Sequence, residues 1–194
     1  MSARSTFELR WRFTVDEYER MGQVGIFNDD DRVELLDGEI VNMTPIGPVH
    51  AGAINRVAEL LFQRLAGHAM VIVQNPLRLA PYSEPQPDIV VARRRDDYYQ
   101  LGHPTADDVW LVIEVADSSL HLDRTIKVPL YAYARISEVW LIDLAGRAVT
   151  AYTEPDDGGY GAVRIARPGD SLTPCMIPDL TITVSEIFGT AKQP

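Results

Sequence analysis

The segment Val109–Val115 constrains this chain more than any other, because it is apolar at every position except Glu114. A strand apolar on both faces belongs inside a sheet that is covered on both sides. Glu114 then lies in the core, where an unpaired carboxylate costs several kcal/mol. The fold must bring a compensating partner to it.

Thr14, followed three residues later by Glu17, predicts a capping box that opens a helix running to about Met21, with Gly22 and Gly25 stopping it. Arg32-Val-Glu-Leu-Leu and Glu39-Ile-Val-Asn-Met flank Asp37-Gly38, a hairpin signal. From His50 to about Ala66, the residues Ile54, Val57, Ala58, Leu61 and Leu65 recur at helical spacing, and Gly67 ends this second helix. Met70 to Leu79 and Asp88 to Val91 read as strands joined through Pro81 to Pro87, whose prolines exclude regular structure. Leu120 to about Arg135 reads as a third helix despite Pro129, and Glu138 to Asp143, Ala148 to Thr153 and Gly161 to Ala166 read as further strands. Pro174 and Pro178 interrupt the last stretch, which closes on a short apolar segment, Val184 to Phe188. This order predicts an α/β fold of α+β type, a mixed sheet flanked by helices with an N-terminal helix and β-hairpin. No repeat or low-complexity linker divides it, so the 194 residues are expected to form a single domain with its core at about 13–188.

No apolar run is long enough to cross a bilayer, and Met1-Ser2-Ala3-Arg4-Ser5 leads into no hydrophobic signal region, so a cytoplasmic protein away from membranes is expected. A lone Cys175 fits a reducing compartment, cannot form a thiolate metal cage, and reads as a buried structural cysteine. The formal net charge of -10 counts against non-specific coating of nucleic acid, since phosphate binding depends on Lys and Arg. Much of the acid is local, in segments that read as solvated loops: Asn28 to Asp31, Asp96-Asp97, Asp107-Asp108 and Asp156-Asp157. Arg93, Arg94 and Arg95 offer a phosphate-facing rim beside a site, and a solvated turn explains them equally well.

Asp88 stands at the start of an apolar strand, as Glu114 stands inside one. Two carboxylates on neighbouring strands can hold one hard divalent cation, which takes oxygen ligands and keeps several waters. Such a cation would resolve the burial of Glu114. Taken singly, Asp88 also suits a turn cap and Glu114 a partner for arginine, so the pair says more than either residue alone. His50 heads the second helix, where a histidine is commonly a cap. His121 follows Glu114 by seven residues and is expected near the rim; His68 and His103 show no interpretable spacing, and no His/Cys cluster suggests zinc. Asp117-Ser118-Ser119 predicts an N-cap for the third helix at Ser118 or Ser119, with no histidine spaced to make either a nucleophile. Tyr98, Tyr99, Tyr131 and Tyr133 suit packing or a partner surface as well as base stacking.

Four segments, Pro87-Asp88-Ile-Val-Val, Leu111-Val-Ile-Glu114-Val-Ala-Asp-Ser-Ser, Asp123-Arg-Thr-Ile-Lys127-Val-Pro-Leu-Tyr-Ala and Val139-Trp-Leu-Ile-Asp143, together resemble a large bacterial family. It is the Uma-type family of restriction-endonuclease-like proteins, grouped with the PD-(D/E)XK nuclease superfamily. Arg32-Val-Glu34-Leu-Leu-Asp-Gly-Glu-Ile and His50 extend the match to roughly Phe13 to Phe188. Each motif alone is weak, and the combination is specific for the fold. The resemblance implies a core in which Asp88 and Glu114 hold Mg2+ or Mn2+ and a lysine orients or activates water against a phosphodiester. It also implies that Glu34 is an additional acidic residue near the site and that His50 is an accessory residue, contacting phosphate or a metal-bound water. One position departs from the superfamily pattern: Ala116 stands two residues after Glu114, where the lysine belongs. The resemblance places the substitute at Lys127 on the following helix. Composition agrees, because among 18 basic residues only Lys127 and Lys192 are lysines, and Lys192 lies in the terminal tail. A compact ammonium differs from a guanidinium where a water must be activated. An ordinary surface ion pair with Asp123, four residues earlier, is the plainer account of Lys127.

These readings converge on a metal-dependent endonuclease that hydrolyses phosphodiester bonds in DNA, with the lysine displaced to the following helix. Many enzymes of the superfamily act as dimers, so the resemblance also implies a homodimer, which would double a local basic rim. The net charge and Ala116 support the alternative, a catalytically silent interaction protein on a nuclease fold. Hydrolysis of a small phosphorylated substrate is a third reading.

Overall fold

In the computed structural model, which describes residues 10–28, 30–79 and 81–189, the apolar strand at Val109–Ala116 lies inside a six-stranded sheet. Before it come α1 (Val15–Gln23), the hairpin β1 (Val33–Leu36) and β2 (Glu39–Asn42), α2 (Pro48–Leu65), β3 (Ala69–Val73) and β4 (Ile89–Arg93). The apolar strand is β5, and a helical run follows: α3 (Leu120–Leu122), a π-helical segment (Asp123–Lys127) and α4 (Val128–Tyr133). Then come β6 (Glu138–Asp143), β7 (Ala148–Asp156), β8 (Gly159–Ala166), β9 (Ser171–Leu172), β10 (Ile182–Thr183) and α5 (Val184–Phe188). The main sheet has the order β3-β4-β5-β6-β7-β8. Its pairs are antiparallel except β5-β6, which are parallel and joined by the helical run as a crossover.

Alternation of side chains along β4, β5 and β6 builds both halves of the core. Ile89, Val91, Leu111, Ile113, Val115, Trp140 and Ile142 pack on the apolar stripe of α2, formed by Ile54, Val57, Ala58, Leu61 and Leu65. Val90, Ala92, Val112, Ala116, Val139 and Leu141 point the other way and meet Val128, Tyr131 and Ile136 from the crossover. Glu114 has the parity of Val112 and Ala116, so its carboxylate faces the crossover helix.

The Asp37-Gly38 turn carries φ of 49° and 82°, as a two-residue hairpin with both central residues left-handed requires. Reciprocal backbone hydrogen bonds between Leu35 and Glu84, at 3.3 and 2.8 Å, dock the hairpin on the loop before β4 and bring Glu34 towards the start of that strand.

Several expectations need correction. β3 stops at Val73 rather than Leu79, because Gln74 turns the chain at φ 50°; Leu77 and Leu79 stay buried but bond across the loop to Pro85 and Ser83. The third helix is not uniformly α-helical. Pro129 has no N–H to give the Thr125 carbonyl, and the turn before it widens into the π segment, with the Val128 N–H donating to the Asp123 carbonyl. Val184–Phe188 is a helix, opened by a Thr183–Glu186 capping box, and the two-residue strands β9 and β10 were too short to show in the pattern. Cys175 is exposed, not buried: it lies in the irregular turn between Pro174 and Pro178, where its backbone N–H donates to the buried Glu138 carboxylate. Of the acidic loops, Asp97 pairs with Arg95 and Asp108 closes a capping box with Thr105. Residue 29, the opening residues 1–5 and Lys192 lie outside the described residues. Among those described, no helix is long and apolar enough to cross a membrane.

A Cβ added at Gly38 would lie 2.6 Å from the Arg12 Cβ. Gly38→Ala is therefore expected to cost about 2 kcal/mol or more, since left-handed backbone alone costs an L-residue about 1–2 kcal/mol. Urea titration checks this as a lower midpoint at unchanged slope. An unchanged midpoint would show that the hairpin tolerates a side chain there.

Candidate functional site

The first residue pair beyond the β4–β5 register, Ile89 opposite Ile113, is Asp88 beside Glu114. The two residues are clamped to each other's strands: the Asp88 N–H donates to Glu114 Oε2 at 3.3 Å, and the Val115 N–H donates to Asp88 Oδ2 at 2.9 Å. Glu114 Oε1 accepts from the Tyr131 hydroxyl at 2.6 Å and lies 3.4 Å from Lys127 Nζ. Lys127 Nζ is also 3.1 Å from Glu34 Oε2, which accepts the Gln86 N–H at 3.0 Å. Asp123, one turn before Lys127, accepts the Ser119 hydroxyl at 2.6 Å. Glu34, Asp88, Glu114, Asp123 and Lys127 are all buried, and they share one cleft with His50.

Glu34, Asp88, Glu114, Asp117 and Asp123 against Lys127 and Arg32 leave this cleft with an excess of acid. Burial pushes Glu114 up to about 8; Lys127 opposes that shift, and Asp88 and Asp123 add to it. Burial also works against the Lys127 charge, but Glu114, then Glu34 and Asp123, outweigh it and hold the ammonium above its ordinary pKa. Asp123 is raised, chiefly by burial. Tyr131 is raised well above 10, by burial and then by Glu114, so its hydroxyl stays a donor. His50 Nε2 lies 3.1 Å from Asp88 Oδ2, and that hydrogen bond raises its pKa against the opposing effect of burial.

Asp88, Glu114, Lys127, Glu34 and His50, separated by up to 93 residues in the chain, are thus brought together. Lys127 is no surface partner of Asp123: it is buried, and its ion pairs run to Glu34 and Glu114. Ser119 holds the N-cap position of α3, yet its hydroxyl serves Asp123 rather than the backbone. Arg93, Arg94 and Arg95 do not rim the cleft. They stand at the far end of β4, about 17 Å from Asp88 at ~3.3 Å per residue, and bond to the Asp107 carbonyl, the Tyr98 hydroxyl and the Asp97 carboxylate. His121 is exposed and lies off the cleft lining. Sequence reasoning missed Tyr131, Asp123, Gln74 and Gln86. Asp123, Lys127 and Tyr131 recur at intervals of four, a helical face that was legible. Gln74, whose amide donates to Asp88 Oδ1 at 3.3 Å from a left-handed backbone, left no such signal.

A family model described as "Uma2: Putative restriction endonuclease" matches residues 15–185. None of the curated proteins compared with the chain matches it. Among solved structures, the chain is similar to the crystal structure of "a putative nuclease belonging to DUF820" from Anabaena variabilis. The TM-score is 0.70 at 14% identity, covering 91% of this chain and 97% of that one. At that identity the likeness is one of fold.

Lys127→Met would leave Glu34 and Glu114 buried without their ammonium, at an expected cost of about 3–5 kcal/mol at about pH 8. The cost should grow above about pH 8. With Lys127 present the folded Glu114 already sits at about 8, so up to that pH it holds its proton in both proteins. Without Lys127 its pKa rises further, and above about 8 the variant alone still binds the proton in the folded state, so its stability falls more steeply as pH rises. Adding Glu114→Gln should recover part of the loss at about pH 9. Denaturant titrations of these variants check it, and equal losses at about pH 7 and about pH 9 would contradict the buried pair.

Proposed function

The chain belongs to the Uma2 family, and from that premise we propose that it is a metal-dependent endonuclease hydrolysing phosphodiester bonds in DNA. The observation that supports this most is the clamped pair Asp88 and Glu114 on adjacent strands, with Lys127 and Glu34 packed behind it.

The donor set suits a hard divalent cation, because the cleft supplies carboxylate oxygens in excess of its positive charge. Among the described residues no three His, Cys, Asp or Glu side chains are grouped as ligands. Two carboxylates with water completing the shell are the usual protein share for Mg2+, and here Asp88 and Glu114 would provide them to Mg2+ or Mn2+. Bound there, such an ion acidifies water and stabilises the negative charge that grows on the phosphoryl oxygens. Lys127, held as an ammonium between two carboxylates, acts as a fixed positive charge and donor that orients the attacking water rather than as a proton acceptor. Glu34, itself fixed by the Gln86 N–H, keeps Lys127 in place. His50 shares Asp88 Oδ2 with the Val115 N–H and stands as an accessory residue towards the substrate. A homodimer, which the family resemblance implies, would double rather than offset the net charge of -10, so phosphate contact would rest on local basic residues.

One observation favours a second reading, a silent interaction protein. Both Glu114 oxygens already have partners inside the fold, Tyr131 and Lys127 on Oε1 and the Asp88 N–H on Oε2.

Calorimetric titration of Mn2+ into wild type, Asp88→Asn and Glu114→Gln separates the two. Saturable binding in wild type, weakened about tenfold or more in both variants, is expected. Plasmid cleavage in Mn2+ should then fall about 100-fold or more in Lys127→Arg, a loss of the size seen when one fixed transition-state donor is displaced. Absence of Mn2+ binding in wild type, with the fold intact by thermal melting, would leave the silent reading standing.

A further inference from the structure

Arg32, the residue before β1, lines the same cleft. The chain has carboxylate in excess, and Arg10, Arg12, Arg64, Arg78, Arg95 and Arg135 each ion-pair with an Asp or Glu. Arg32 does not. It is half-buried among the cleft's carboxylates, yet its guanidinium makes no ion pair or hydrogen bond among the described residues. Its backbone is anchored, because the Met43 N–H donates to the Arg32 carbonyl at 2.8 Å and extends the hairpin by one rung. An always-charged, planar fork is thus carried on a fixed stem with its donors unspent.

The other cations of the cleft are committed. Lys127 is shared between Glu34 and Glu114, and His50 leans on Asp88. An anion entering the cleft therefore finds one free guanidinium. The surrounding carboxylates decide which anion: a phosphomonoester brings close to two charges, whereas a phosphodiester brings one, which a single guanidinium matches through two parallel N–H donors. The start of α2, with Gly47 at its N-cap, no capping side chain and no acidic residue in its first turn, lends this wall some further positive potential.

We infer that Arg32 is the phosphodiester-binding residue of this cleft, holding the non-bridging oxygens of the substrate. This rests on the nuclease reading and names the group through which substrate is held. Two sources share that chemistry, a nucleic-acid backbone and a small diester, so two probes are needed: a short fluorescent DNA duplex followed by anisotropy, and a dinucleoside monophosphate followed by calorimetry. Both are titrated with Ca2+ present in place of Mn2+, into wild type, Arg32→Ala, Arg32→Lys and, as a control on the distant edge strand, Arg164→Ala.

Arg32→Ala is expected to weaken binding about tenfold and, for the duplex, to lower the salt dependence by about one ion. Arg32→Lys should recover part of the affinity, and Arg164→Ala should match wild type. The Mn2+ isotherm and melting temperature of Arg32→Ala should also match wild type. Whichever probe shows the Arg32-dependent loss identifies the source of the diester. Binding of both probes unaffected by Arg32→Ala, or no binding of either to wild type, overturns the assignment; intact Mn2+ binding in that case leaves the metal site standing. Loss of Mn2+ binding in wild type refutes the metal reading instead, and the anisotropy of Arg32→Ala still decides the role of Arg32.

Discussion

The buried contact of Lys127 with Glu114 and Glu34 is the interaction on which the rest of the structure depends. Glu114 is the one charged side chain in the most enclosed strand of the sheet, and its carboxylate faces the crossover rather than water. The crossover must therefore deliver a cation at that level, and Lys127 is delivered from the π segment one turn before Tyr131. A single ammonium also satisfies Glu34, so the hairpin at the chain's beginning is tied to a helix nearly a hundred residues later. Buried ion pairs contribute little net stability over a well-packed apolar core, but each partner is costly to remove. Their effect here is to select one arrangement of hairpin, sheet and helix.

That arrangement concentrates acid where a purely structural core would avoid it. Four buried carboxylates around one lysine keep Glu114 and Asp123 above their ordinary pKa values, burial being the largest cause for both. Local rules are broken nearby as well: Gln74 sits in left-handed backbone to reach Asp88, and the helix widens at Asp123–Lys127. Departures of this kind gather where function, rather than stability, sets the side chains. The matching family model spans the same region.

Much of the fold was legible because it rests on local rules. The Thr14–Glu17 capping box, the Asp37-Gly38 turn and the α2 stripe appear in the structure as patterned. Where the expectation failed, a non-local contact or a missing donor won. Leu77 and Leu79 are strand-like residues held in a loop by bonds across it, Pro129 rewound the helix, and Cys175 was displaced to the surface between two prolines. In the site, Asp88 and Glu114 could be chosen because charge inside an apolar strand is conspicuous. Tyr131 was not chosen, because a tyrosine among apolar helix residues looks the same whether its hydroxyl is free or bonded.

By itself, the sequence determined that β5 is an inner strand, that its glutamate requires a partner, and that Lys127 is the one lysine before the last few residues, since burial pattern and composition are properties of single segments. Only the tertiary structure decided which partner Glu114 takes, that Arg93, Arg94 and Arg95 stand at the wrong end of β4, and that Arg32 has no carboxylate partner among the described residues in an acidic cleft. Those outcomes depend on distances between segments far apart in the chain, and electrostatic interaction is set by separation in space and by burial, neither of which is written in residue order.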